Sequence, residues 1–315
     1  MRRLLFCLSI LLIPGCDTPL TPTGLPPANI VVDPLNPTAP PKPDVSTWSP
    51  YLGIHATGGA YRAYEETARM LIKAGKLKGV RVGIVKAEGF NNHIIALLNS
   101  LGLELLGIVD NLYLFDPDIE RRMDEIIAAY PYIKVLQIGN ETTSILPKSG
   151  PTMTIEQYMP VLRRIYNHVT KNYPGITLVT QCPLGHGYSG SREIERMGEL
   201  GLNEMSPQKL IIAINVYSPS AMSGYTGAVT HPVIRRFRIW VTETGSIYPD
   251  RHISYVQQYY PLFRNGFRAE RIYWYVHWAG DDGGDTGASL IRLINGPNEL
   301  PGWYSPLFKA LAGME

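Results

Sequence analysis

A closed (β/α)8 barrel is the fold this sequence predicts, and three observations predict it. Short Val- and Ile-rich runs alternate with longer stretches of helical periodicity. Eight such pairs can be drawn. The roughly 265 residues that hold them divide into units of about 33, the size of one strand, its helix and two loops. The competing doubly wound open sheet would carry a glycine-rich phosphate turn after its first strand, and Gly58-Gly59 does not make that fingerprint.

The 315 residues exceed what the barrel needs, and the surplus lies at the N-terminus. Arg2 and Arg3 precede an apolar run, residues 4–13, about half the roughly 20 residues of a bilayer-spanning helix. Residues 1–15 therefore read as a secretory signal peptide. Its end, Ile13-Pro14-Gly15-Cys16, resembles a bacterial lipobox, and Asp17 resembles an enterobacterial inner-membrane retention signal. The resemblance implies cleavage before Cys16, lipidation at Cys16, a lipid anchor in a bacterial membrane and an extracytoplasmic place in the cell envelope. Residues 16–47 are rich in Pro and Thr and nearly uncharged, so they form a tether without a core of its own, extended at about 3.1 Å per residue. The barrel is expected over 48–315, from about Trp48.

In order, the strands are expected at residues 52–55, 80–85, 104–109, 133–138, 176–180, 210–217, 239–242 and 271–277, because each is a short β-branched or aromatic run bounded by turn residues. Helical periodicity covers 64–74, 92–100, 117–129, 155–171, 192–200 and 254–264. End signals support these bounds: Asp116-Pro117 as N-cap and first-turn proline, Thr154 and Gln157 at capping-box spacing, and Gly175 beyond the helix ending near Asn172. Residues 218–233, small and polar, read as a long loop, as do 279–288.

Composition narrows the function. The net charge of +2 creates no field that gathers phosphates, so nucleic acid is not an expected partner. Of the 3 cysteines, Cys7 and Cys16 precede the barrel, leaving Cys182 with no internal disulfide partner, as a small buried side chain.

Barrel active sites lie at the C-terminal strand ends, and two glutamates stand there. Glu141 closes the fourth strand in Gln137-Ile138-Gly139-Asn140-Glu141, and Glu243 the seventh in Ile239-Trp240-Val241-Thr242-Glu243. With period two, Glu141 shares its face with Ile133, Val135, Gln137 and Gly139, and Glu243 with Ile239 and Val241, both toward the axis. Two carboxyls across a sugar ring are what glycoside hydrolysis requires. Asn-Glu after strand four and Glu after strand seven resemble clan A of the glycoside hydrolases, the retaining (β/α)8 enzymes.

That resemblance implies Glu141 as acid/base, Glu243 as nucleophile and Asn140 as a ligand of the sugar 2-hydroxyl. Across about 5 Å, an ionised Glu243 would also hold the pKa of Glu141 up. Arg81, a charge in mid-strand, resembles the arginine beside the clan's nucleophile, Tyr217 the tyrosine that hydrogen-bonds it, and Trp278 the tryptophan that floors the sugar site. His55 is expected to hydrogen-bond sugar hydroxyls. Asp281, Asp282 and Asp285 read as solvating their glycine-rich loop.

The expected activity is thus a retaining glycosidase or transglycosidase acting on an oligo- or polysaccharide, with no cofactor and no metal, as a monomer. One rival is a catalytically silent carbohydrate-binding barrel lipoprotein. Another is a metal-dependent hydrolase using His55, His186 and His277, whose spacing matches no ligand motif.

Overall fold

The computed structural model describes residues 51–54, 61–89, 92–143, 152–183, 187–217, 219–275, 288–292 and 300–314. All lie within one compact unit, Pro43–Glu315. The signal peptide, Cys16, the tether, Trp48, His55, His186, His277, Trp278, Asp281, Asp282 and Asp285 fall outside the described residues.

Eight parallel strands close on themselves: β1 (Tyr51–Ile54), β2 (Gly79–Val85), β3 (Glu104–Val109), β4 (Val135–Ile138), β5 (Thr177–Val179), β6 (Leu210–Asn215), β7 (Arg238–Thr244) and β8 (Ala269–Trp274). Each pairs with the next, and β8 pairs with β1. The helices α1 (Tyr61–Lys73), α2 (Asn92–Ser100), α3 (Ile119–Ala129), α4 (Ile155–Asn172), α5 (Gly187–Glu199), α6 (Pro219–Thr230), α7 (His252–Gly266) and α8 (Pro306–Ala312) surround them. A two-stranded antiparallel ribbon, β9 (Ile291–Arg292) and β10 (Trp303–Tyr304), precedes α8. Among the described residues no helix is long and apolar enough to cross a membrane.

Alternation along the strands divides the core in two. Val80, Val82, Leu136, Ile138, Leu210, Ile212, Ile239 and Val241 join helix residues such as Met123, Leu162 and Phe263 in the outer layer. Leu106, Val135, Val179, Cys182, Ile211, Ala213, Trp240 and Tyr273 come from strands or strand ends alone and fill the barrel. At the strands' N-terminal ends, Arg271 pairs with Glu104 at 2.5 Å and lies 4.0 Å from the Trp240 ring centroid.

Two expectations are corrected here. Ile133, Ile239 and Val241 face the helices, so the inward set on β7 begins with Trp240. Counting by twos from Trp240 would turn Glu243 outward. A bulge prevents this: β6 and β7 pair Ile214 with Val241 but Asn215 with Glu243, leaving Thr242 as the extra residue. The second correction is the loop at 218–233, most of which is α6. Its sequence, PSAMSGYTGAVT, contains two glycines and many hydroxyl residues, which are weak helix formers in isolation. Tertiary packing holds it instead, and a Cβ on Gly190 of α5 would stand 2.6 Å from the Tyr225 hydroxyl.

Smaller differences sit at element ends. The helix expected from Pro117 starts at Ile119, because the Asp116 carboxylate accepts the Asp118 N–H at 2.8 Å and forms a turn first. The capping box at Thr154 and Gln157 is present in both directions.

Candidate active site

The C-terminal end of β4 turns sharply. Gly139 has φ +75°, and Glu141, rare for a side chain of its kind, has φ +48°. Only glycine fits the first position, where a Cβ would lie 2.6 Å from Thr142 Cγ2 and 2.8 Å from Leu114 Cδ1. Between them Asn140 is gripped by its backbone. Its N–H donates to Asn111 Oδ1 at 2.8 Å, and its carbonyl accepts from Asn111 Nδ2 at 2.8 Å. Asn111 opens the 3-10 turn Asn111–Phe115 after β3. The Glu141 N–H donates to the Cys182 carbonyl at 3.1 Å, fastening this turn to the chain beyond β5.

Arg81 reaches across the barrel from β2, only 4% exposed. Its Nη1 donates to Glu243 Oε1 at 2.5 Å, Nη2 to Asn140 Oδ1 at 2.7 Å and Nε to Gln137 Oε1 at 2.9 Å. The planar fork thus ties three strands together. Glu243, 7% exposed, also accepts the Tyr217 hydroxyl at 2.6 Å on its other oxygen. Burial and the Glu243 charge push that hydroxyl's pKa well up, so Tyr217 remains a donor.

Glu141 has a different setting. Its Oε1 accepts Asn215 Nδ2 at 2.9 Å, and the Asn215 Oδ1 accepts the Thr242 hydroxyl at 2.9 Å. Burial, then the Glu243 charge, raise the Glu141 pKa to about 7, while Asn215 and Arg81 act in the opposite sense. Two carboxyls sensed by the same cation therefore differ in surroundings: one is ion-paired, the other desolvated.

Sequence reasoning named Arg81, Asn140, Glu141, Tyr217 and Glu243, and the structure brings these five together around one mouth. His55 and Trp278 lie outside the described residues. Gln137, Asn215, Thr242 and Asn111 went unnamed as site residues. Gln137 carried the same signal as Arg81, a polar side chain in mid-strand; Asn215 and Thr242 looked like ordinary strand-end polarity. Cys182, expected as a small buried side chain, is fully buried and also donates its thiol to Asn140 Oδ1 at 2.8 Å. Burial pushes its pKa up, keeping it a neutral donor. Asn140 Oδ1 thereby receives hydrogen bonds from Arg81, Cys182 and, at 3.2 Å, Gln137. Every hydrogen bond its side chain makes among the described residues is to Oδ1.

Among the described residues no cluster of three metal-ligating side chains occurs. A cavity of about 560 Å³ opens beside the β4 turn, lined by Thr143, Met153, Gln157, Arg192, Glu193 and Arg196, among others.

No protein-family model matches the chain. No curated protein sequence matches it either. Solved structures do. The glycoside hydrolase family 30 subfamily 8 xylanase of Clostridium acetobutylicum aligns with a TM-score of 0.58 at 16% identity, over 83% of this chain and 70% of that one. The cellulose synthase subunit Z of Clostridioides difficile aligns at 0.55 and 10% identity, over 84% and 99%. Saccharomyces cerevisiae Gas2p in complex with laminaripentaose aligns at 0.51 and 15% identity, over 82% of this chain and 58% of that one. At these identities the likeness is one of fold: the chain has the barrel architecture found in carbohydrate-active enzymes.

Proposed function

We propose that this barrel is a retaining glycoside hydrolase or transglycosidase, acting on an oligo- or polysaccharide by double displacement. One observation carries the reading: a buried Glu243 at the end of β7 and a half-buried Glu141 after β4 have environments that push their chemistry apart. Glu243, paired with Arg81 and hydrogen-bonded by Tyr217, is the nucleophile. Glu141, whose pKa stands at about 7, holds the proton that the leaving group needs.

In the first step a Glu243 oxygen bonds the anomeric carbon as the glycosidic C–O bond breaks, and the Glu141 proton passes to the departing oxygen. Loss of the Glu243 charge into the new ester weakens the repulsion that held Glu141 protonated. Glu141, now ionised, takes a proton from water or from a sugar hydroxyl. That oxygen attacks the anomeric carbon, the ester bond breaks, and both carboxyls return to their starting states. Arg81 pairs with the Glu243 carboxylate before attack and again as it leaves. Asn140, whose Oδ1 is occupied by the three donors, turns its Nδ2 to a sugar hydroxyl.

The substrate class is supported by the sugar in the Gas2p structure and by the xylanase named above. We extend the reading to location: a lipid at Cys16 and the tether of 16–47 hold the barrel outside a bacterial membrane, a reading supported by the lipobox resemblance. Radiolabelled palmitate incorporated by the wild type and absent from Cys16→Ala tests this part.

The activity is tested with a panel of aryl glycosides. Turnover should disappear in Glu243→Ala and return in part with azide, and a fluoro-sugar should label the peptide that contains Glu243. Wild-type inertness across the panel, with sugar binding intact, would favour the silent barrel.

A further inference from the structure

Thr242 touches neither of the two glutamate side chains by hydrogen bond, yet it sits where it decides how one of them is held. It is the extra residue of the β7 bulge, is fully buried, and turns its hydroxyl to the Asn215 carboxamide. We propose that Thr242 is a positioning residue: by donating to Asn215 Oδ1 it fixes that amide with Nδ2 toward Glu141, and so assigns the transferable proton of Glu141 to Oε2. The inference rests on Glu141 acting as the acid, but its structural part does not.

A primary amide has one acceptor end and one donor end, and either can face a carboxyl group. Asn215 is itself fully buried, so its orientation is set by its neighbours. The Thr242 hydroxyl has a single hydrogen, and its oxygen lies 2.9 Å from Asn215 Oδ1 and 3.4 Å from the Ile214 carbonyl, so the shorter contact takes it. Nδ2 then faces Glu141 Oε1 at 2.9 Å. A proton on Oε1 would oppose the amide hydrogens, so the neutral acid carries it on Oε2. Among the described residues no hydrogen bond reaches that oxygen.

Without the hydroxyl the amide is free to flip. Its Oδ1 would then accept a proton from Glu141 Oε1, holding the proton away from a leaving group and stabilising the neutral acid. The other charged or titratable groups that act on Glu141 come from separate elements: Arg81 on β2, Cys182 after β5, Tyr217 after β6, Tyr225 on α6 and Glu243 on β7. Only Glu243 shares an element with Thr242, and Thr242→Val keeps the shape of the side chain next to it.

The experiment is a carboxyl-carbon NMR titration of the full chain with labelled glutamate, the Glu141 resonance being assigned from its loss in Glu141→Gln. Thr242→Val should raise the Glu141 midpoint by about one pH unit, the scale of one hydrogen bond to a charged group. Thr242→Ser, which restores the hydroxyl, should leave it within a few tenths. In an Asn215→Ala background, where the donor is already gone, Thr242→Val should add nothing. An unchanged midpoint in Thr242→Val, or a shift that persists in the Asn215→Ala background, overturns the proposal. Should Thr242→Val fail to fold, Asn215→Ala alone must raise the midpoint, and no rise there overturns it equally. None of these titrations requires turnover, so failure of the glycosidase reading is seen separately, in the aryl glycoside panel. With an active enzyme, kcat/KM of Thr242→Val should fall about tenfold for a phenyl glycoside and little for a dinitrophenyl one, which leaves without a proton.

Discussion

Single residues bear on stability as sharply as on chemistry. Arg81 is nearly buried and neutralises Glu243, so Arg81→Met leaves an uncompensated carboxylate in the barrel. The expected loss is about 3–5 kcal/mol at neutral pH, read as a lower urea midpoint. Glu141 works in the other direction. Its folded-state pKa, about 7, lies above the ordinary 4.5, so the folded chain holds this proton more tightly than the unfolded one. The carboxyl is harmless below about pH 4.5; as pH rises through 7 its ionisation penalises the fold, by up to about 3 kcal/mol. Glu141→Gln should therefore raise Tm at pH 8 and leave it nearly unchanged at pH 4.5, as differential scanning calorimetry would report. Arg81 was legible in the sequence because a charge inside a strand demands a partner. Thr242 was not, since a threonine suits any strand and only the bulge gives its hydroxyl a target.

Elements position these residues through a few local devices. Gly139→Ala asks a side chain to adopt φ +75° and to enter space held by Thr142 and Leu114. It should cost about 2–4 kcal/mol in equilibrium unfolding and displace Asn140 and Glu141 together. Thr154→Ala, by contrast, breaks only a capping box on α4; a loss of about 1 kcal/mol is expected in equilibrium unfolding. Strong local signals made some elements readable to the residue: β3 and α2 have the predicted bounds, and the cap of α4 is where its motif lies. Where tertiary packing overrides propensity the sequence misleads, as at α6, whose glycines and serines suggest a loop although its Tyr225 packs closely on Gly190 of α5.

For the whole molecule, the strand–helix rhythm was enough to predict closure into a barrel, because eight equal units leave few other ways to bury both faces of a parallel sheet. The chemistry of the mouth emerges only from that closure, which brings β2, β4, β6 and β7 to one rim. If Glu141 supplies the proton, kcat/KM for a phenyl glycoside should fall as pH rises through about 7, and a profile flat from pH 6 to 8 would contradict this. The bulge in β7 also bears on ancestry. With Trp240 inside and Val241 outside, a strand lacking Thr242 would have a regular pleat and still aim the next carboxylate at the axis. A lineage can therefore gain or shed this buried hydroxyl by a single codon insertion or deletion while Glu243 keeps facing the axis.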